Sequence, residues 1–435
     1  MLSTVEQLEQ RIVRYRRKLH RHAETKWTEF WTSSFIADRL EEAGFQIKTG
    51  LDVVDPAFCA GRPEENEIDG FLERALNQGA NPDQLDRMKR YPGVVAVLDT
   101  GRPGPSVAFR ADIDAVSNQE STEPGHRPYD EGFSSVNSNS VHACGHDGHA
   151  AIVLGAAEQL MADRDELCGV FTFIFQPSEE GGGGGKAMTS KGIGSGVDYL
   201  FTFHLSLAPS HVIAGGCNDF VDNRRYDATF TGRAAHPVGD PHNGKNALLA
   251  ACSAAMNLHC IAPHGDGCVW INVGVLSAGT GRNVVAPGAF FQVESRAALE
   301  HVADYAEERV LKIIEHAAGM YDVSVGIERI GHALTGSSDP EMAELVLEEA
   351  KKIAYFHTFL HEGRVGGSDD ATDFMRFVQE QGGKATYISL GCDSEKSLHN
   401  GSYDIDEGVL LPGAELFVKL AKHLARRVTD CDETS

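Results

Sequence analysis

The sequence predicts an α/β protein in which a largely parallel mixed sheet is covered by helices and a ferredoxin-like α+β domain is inserted. Three observations carry this expectation. Apolar runs such as Val170–Phe175 and Tyr199–Phe203 suit strands buried on both faces. Helical stretches alternate with them, as they do when helices cover a parallel sheet. From about residue 222 the rhythm changes to strand-helix-strand-strand-helix-strand, a split βαβ unit complete in itself. The predicted domains are a discontinuous one, 1–221 with 332–435, and an insertion at 222–331. A length of 435 residues also favours two cores over one.

In chain order, residues 5–22 read as an amphipathic helix with Leu8, Ile12, Tyr15 and Leu19 on one stripe, and 29–43 as a second helix. Residues 50–92 are polar and weakly patterned, which predicts an insertion with one short helix. Strands follow at Val94–Leu98 and Val107–Phe109, joined by a Gly- and Pro-rich turn, then a helix over 150–163. In the insertion the strands are 226–231, 269–275, 290–297 and 323–330, and the helices are 243–260 and 300–319. Helix 340–354, strand Ala385–Leu390 and a final helix near 408–426 return to the first domain. One tract is of low complexity, Gly181–Gly185.

The bulk numbers narrow the function. A net charge of -24 repels nucleic acid and anionic membranes, so neither is expected as a partner. An anionic substrate would then need local positive charge, which bound metal ions supply. The nine cysteines are odd in number and irregularly spaced, which fits reduced thiols in a cytoplasmic protein better than a disulfide framework. The charged amino-terminal segment lacks the apolar stretch of a signal peptide, and no run approaches the ~20 apolar residues of a membrane span.

The chemistry concentrates in four places. His142-Ala-Cys144-Gly-His146-Asp147-Gly-His149 packs three histidines, a cysteine and an aspartate between a strand and a helix. Thiolate and imidazole are ligands for an ion such as zinc, and imidazole also suits manganese. Gly145 lets the backbone turn so that Cys144 and His146 converge, and Asp147 would orient a ligand or bridge two ions. Glu179 and Glu180 emerge from the end of the strand Val170–Phe175. One carboxylate can bind metal while the other acts as general base toward water activated there. His204 ends the strand Tyr199–Phe203, and His399 follows the strand Ala385–Leu390 through a loop. Ligands of open α/β sheets gather at such carboxyl ends. Taken alone, His204 also reads as an ordinary core histidine.

The ordered set RRKLHRHAE, RADIDA, HACGHDGH, FQPSEEG, the histidine of FHL, GRAAHP, GRNVVAP, GGSDDATDF and LHN resembles the aminoacylase/carboxypeptidase-like metallohydrolases. It is most similar to their amidohydrolase branch, which includes auxin–amino-acid conjugate hydrolases and N-acyl-amino-acid hydrolases. The match runs from about residue 12 to 425. The resemblance implies a catalytic domain split by a smaller lid and dimerisation domain. It implies that Cys144, His146, Glu180, His204 and His399 bind one or two divalent ions, zinc or manganese, and that Glu179 is the general base and acid. It implies that His236 donates to the developing oxyanion, often in a partner subunit's site. Without it, His236 reads as a surface-loop histidine. Asn283 and Arg296 are candidate contacts to a substrate carboxylate, although Arg296 equally suits a strand-face ion pair.

The sequence departs from the family pattern at Pro237, where Ala is common, and at Asp369, where Glu is common. The expected reaction is hydrolysis of the amide of an N-acyl amino acid, an aryl-acyl group on an acidic residue such as aminobenzoyl-glutamate or indoleacetyl-aspartate. Two rivals are hydrolytic deamination of an aromatic amine and a non-catalytic partner of a paralogous hydrolase. The expected partners are a small carboxylate substrate and either an identical chain or a paralogous one.

Overall fold

The computed structural model describes residues 4–426, and the chain divides into two compact units. The first runs to Asn218 and resumes over Gly336–Val365 and from Asp369 onward. The second is Asp219–Thr335 with Gly366–Ser368. No described helix is long and apolar enough to cross a membrane.

The first unit opens with α1 (Thr4–Arg21) and α2 (Phe30–Ala43). Ile12 and Leu19 of the predicted α1 stripe are fully buried. Next come β1 (Gln46–Thr49), α3 (Glu65–Asn77), α4 (Pro82–Met88), β2 (Val94–Asp99) and β3 (Ser106–Asp112). They are followed by α5 (Arg127–Asp130), α6 (His146–Ala162), β4 (Val170–Gln176), α7 (Gly184–Ser190), β5 (Tyr199–Leu205) and β6 (Val212–Cys217).

The second unit contributes β7 (Asp222–Thr231), α8 (Ala247–Leu258), β8 (Val269–Ala278), β9 (Gly288–Ala297), α9 (Glu300–Met320) and β10 (Ser324–Ala333). The first then adds α10 (Pro340–Ala350), β11 (Thr358–Gly363), α11 (Ala371–Glu380), β12 (Lys384–Leu390) and α12 (Leu410–Arg426).

The large sheet has the order β1-β2-β4-β3-β5-β12-β6-β11. Its centre, β4-β3-β5-β12, is parallel, as is the β6–β11 pair; β1–β2, β2–β4 and β12–β6 are antiparallel. Phe109, Phe171, Phe173, Phe175, Phe201 and Phe203 fill the layers against this centre. Full burial of each such side chain contributes about 1.5–3 kcal/mol before entropy is counted. The register aligns Asp112 with Gln176 and Ser389 with His204. The carboxyl ends of four neighbouring strands therefore open onto one edge of the sheet.

The small sheet is antiparallel with order β10-β7-β9-β8, the ferredoxin-like arrangement. Its core joins Phe230, Phe291 and Val293 to an alanine-rich face of α8 and to Val310 and Ile314 of α9. The helix predicted from residue 243 starts at Ala247, because the Asn246 side chain accepts the Leu249 amide and caps it.

Several elements differ from expectation for identifiable reasons. The 50–92 segment holds two helices, α3 with a Glu64–Glu67 capping box and α4 with an Asn81 cap and Pro82 in its first turn. Both are mostly exposed, so no long apolar stripe announces them. Strand β6 is broken up by Gly215 and Gly216, and β11 is an edge strand in which only Gly363 is buried.

Candidate metal centre

The loops at that sheet edge bring six of the predicted residues together: Cys144, His146, Glu179, Glu180, His204 and His399. Gly145, at φ 89°, turns the chain into α6 and separates the first two. A Cβ there would lie 3.2 Å from the Tyr403 hydroxyl, so the turn is both left-handed and tightly packed. Cys144 Sγ lies 3.4 Å from His204 Nε2. His204 donates from Nδ1 to the Leu205 carbonyl (2.6 Å), which leaves Nε2 as the electron-pair donor facing the thiol.

His146 is set the same way. Its Nδ1 bonds to the Asp114 carbonyl (2.9 Å) and to Asp114 Oδ1 (3.2 Å). Its Nε2 is buried with no hydrogen-bond partner and lies 3.9 Å from Glu179 Oε2. A buried nitrogen lone pair with no partner, backed by a carboxylate on the far side of the ring, is how a metal-ligating histidine is held. Glu180 meets His399 Nε2 at 3.2 Å, and its own amide donates to Asp114 Oδ2 (3.0 Å). His399 stands at φ 66°, fixed by its amide bond to Ala143 (2.7 Å). Donor atoms of Cys144, His146 and His204, of Cys144, Glu180 and His399, and of His146, Glu179 and Glu180 each fall within 4.8 Å of one another.

Electrostatics reinforces the geometry. Burial, aided by Asp369, Glu180 and Asp370, pushes Glu179 well above the usual carboxylate range. Burial and Glu180 likewise push the Cys144 thiol well up. Burial drops His204 to about 4. Imidazole, thiol and carboxylate donors crowd together with an excess of acid, and a divalent cation relieves that excess while taking the thiol's proton. The donor set fits zinc-class chemistry.

The rest of the HACGHDGH motif is structural. Asp147 neither orients a ligand nor bridges the centre, as the sequence suggested. Its carboxylate takes Arg16 Nε and His20 Nδ1, each at 2.8 Å, in a buried network under the loop. His149 has both nitrogens engaged, by Asp112 (2.6 Å) and the Leu205 amide (2.9 Å). His142 is buried with neither nitrogen hydrogen-bonded, and burial holds its pKa down at about 3.

Sequence reasoning missed the groups that hold the Glu179 turn. Ser178 sits at φ 57°, a left-handed conformation costing on the order of 1–2 kcal/mol. Its amide donates to the buried Glu29 carboxylate (2.7 Å), which offsets that strain. Arg110 reaches Asp112 (2.8 Å), Gln176 (2.8 Å) and Asp370 (3.3 Å), and Asp370 in turn accepts Gln176 Nε2 (2.6 Å) and the Gly185 amide (2.9 Å). A Cβ at Gly184 or Gly185 would strike the carbonyls of Pro177 or Asp370, so the glycine tract serves close approach. Asp369, the shorter residue at its position, accepts the Tyr387 hydroxyl (2.6 Å). The available signal was RADIDA: Arg110, Asp112 and Asp114 alternate at the end of an apolar strand, where nothing but a polar site would tolerate them.

The other three predicted residues belong to the second unit. His236 Nδ1 accepts the amides of Val238 (3.2 Å) and Gly239 (2.9 Å), so its proton resides on Nε2. The segment before it bonds to residues 285–287, which puts His236 and Asn283 on neighbouring stretches of chain. Arg296 lies at the far end of β9, eight residues past its start, roughly 25 Å away along the strand. There it makes a two-point pair with Glu294 (3.2 and 3.1 Å).

Cys144→Ala is expected to lower the metal content of dialysed protein, while Cys217→Ala leaves it unchanged. Cys144 belongs to three-donor groups, whereas Cys217 is a core residue of β6. Elemental analysis checks this, and equal stoichiometry and affinity in Cys144→Ala would remove it from the ligand set. Cys431 lies outside the described residues.

Comparison with known proteins agrees with this chemistry. The chain is 41% identical over 414 residues to an indole-3-acetyl-aspartic acid hydrolase of Enterobacter agglomerans, covering 94% of this chain and 95% of the relative. It is 39% identical to one of the subunits of the p-aminobenzoyl-glutamate hydrolase of Escherichia coli (strain K12), covering 96% of each. The crystal structure of an aminobenzoyl-glutamate utilization protein from Klebsiella pneumoniae matches with a TM-score of 0.83 and 35% identity over 96% of this chain and 97% of that one. The crystal structure of a dinuclear metal binding peptidase of the M20 family from Bacillus subtilis shares the fold at a TM-score of 0.67 and 22% identity, covering 97% of this chain and 99% of that one. The model of peptidase family M20/M25/M40 matches residues 108–423, and the chain belongs to that family.

Proposed function

We propose that this metal-dependent amidohydrolase cleaves the amide joining an aromatic acyl group to an acidic amino acid, with indoleacetyl-aspartate and aminobenzoyl-glutamate as representative substrates. The observation that carries the reading is the buried convergence of Cys144, His146, Glu180, His204 and His399 beside Glu179. The activities named for two relatives that span nearly the whole chain support the substrate class.

The five ligands would hold one or two ions, zinc or manganese; the donor groups that share Cys144 favour two. When bound, the ions supply Lewis acidity toward the scissile carbonyl and toward water. Glu179 takes the proton of the attacking water and passes it to the leaving amine, and its burial equips it to hold that proton in between. His236 offers its Nε2 proton to the oxygen that becomes anionic. Asn283 assists in placing the substrate, and Arg296 would exchange Glu294 for the substrate carboxylate.

His236 and Arg296 are too far apart along one β9 strand for a single small substrate to touch both within one chain. This supports a second copy supplying His236 through the inserted domain, the lid and dimerisation element. Edge strand β8 exposes Trp270, Val275 and Leu276, an apolar surface suited to that pairing. A paralogous chain is the second candidate partner, since the Escherichia coli relative is named as one component of a hydrolase with more than one kind of chain. A thiol ligand such as Cys144 functions where thiols are kept reduced, which supports a cytoplasmic location.

The deciding experiment is a metal-replete assay of the purified chain on aryl-acyl aspartates and glutamates, acyl derivatives of neutral amino acids, and aminoaromatics without an amide. Free amino acid is expected from the first group fastest. Ammonia release with no amide hydrolysed would overturn the reading in favour of deamination, and turnover only with an added paralogue would make the chain one component of a hetero-oligomer.

A further inference from the structure

The second unit holds a group of side chains that the hydrolytic chemistry leaves unused. We propose that His264, Asp266 and His301 form a metal site of their own, suited to a zinc-class divalent ion. After α8 the chain makes a tight turn closed by a bridge between His264 and Gly267. The turn presents His264 and Asp266 together. The Asp266 amide donates to His264 Nδ1 (3.1 Å), which fixes that nitrogen as unprotonated and turned toward Asp266. His301 reaches the same point from the first turn of α9, with Nε2 3.0 Å from Asp266 Oδ2. His264 Nδ1 lies 3.7 Å from that oxygen, and the donor atoms of all three side chains fall within 4.8 Å of one another.

Those spacings suit a metal. With bonds of about 2.0–2.2 Å to nitrogen and oxygen, neighbouring ligands of a tetrahedral zinc sit roughly 3.3 Å apart. The rings are also held in place. His264 packs edge-on against His301 (5.4 Å, 75°) and against Tyr305 (5.2 Å, 64°). Tyr305 is itself anchored by its hydroxyl bond to the Ala262 carbonyl (3.1 Å). The His264 side chain is only 28% exposed, while Asp266 (64%) and His301 (57%) open to solvent. Water completes the coordination, and the ion exchanges freely with the medium. Two imidazoles and one carboxylate select zinc, copper or nickel over magnesium or calcium. A bound ion would brace the 264–267 turn against α9.

The test strips full-length protein of metal, reloads it by dialysis against excess zinc chloride and counts zinc per chain. Wild type, His264→Ala, His301→Ala and Asp266→Asn are compared with His316→Ala, a control in the same helix α9 and outside the group. The three site variants are expected to hold one zinc fewer than wild type and the control, with unchanged turnover of an acyl-amino acid. Equal zinc content in all five proteins, or the same loss in the His316→Ala control, overturns the proposal and leaves the His301–Asp266 contact as a simple surface pair.

Discussion

Glu179→Gln is expected to retain its metal and lose turnover by about 10²–10⁴-fold, the usual contribution of a positioned general base. The amide keeps the shape of the carboxylate but accepts no proton from water. None of the groups that fix the turn is disturbed: Ser178 still meets Glu29, and the Gly182 amide still reaches the carbonyl of residue 179 (2.7 Å). Metal held by Cys144, His146, Glu180, His204 and His399 should stay at wild-type stoichiometry. The loss should fall on kcat, since the substrate's binding contacts lie elsewhere. Elemental analysis beside steady-state kinetics reads both quantities. Near-normal turnover would take the proton-transfer role from Glu179.

His236→Ala should fold and bind metal normally, and lose turnover by about 10²–10³-fold, the scale of one oxyanion donor. The two amides that bond its Nδ1 define it as an Nε2 donor, and this tautomer is the one the role requires. Mixing His236→Ala with Glu179→Gln tests whether the donor crosses between chains. In a mixed dimer one site would pair an intact Glu179 with an intact His236, and activity should partly return. Verified mixed dimers that recover nothing would place the donor within its own chain. Full activity of His236→Ala alone would reduce the residue to part of a surface loop.

What the sequence revealed divides along physical lines. The buried strands β4 and β5 and the amphipathic α1 were legible because burial writes an unambiguous apolar pattern. The metal-type residues were legible because cysteine and histidine clusters are rare outside sites. The groups that hold them were not. Glu29, Arg110 and Asp370 lie far apart in the chain and meet only through the parallel register of β3 with β4 and the packing of α7 against the loop before α11. Asp147 misled for the converse reason: it sits inside the motif, and only Arg16 and His20, more than a hundred residues earlier, reveal which way it faces.

The parallel pairing of β5 with β12 has a consequence for biosynthesis. Strand β5 ends at Leu205, and its neighbour begins only at Lys384, after the whole second unit. At the ~5–20 residues per second of translation, one flank of β5 waits about 10–35 s on the ribosome. During that interval the nearly contiguous second unit can complete its own hydrophobic core, while the first holds an apolar strand edge without its partner. Chaperone demand and aggregation during expression should therefore track the delay between those two strands. Truncations ending before residue 384 should be far less soluble than the full chain.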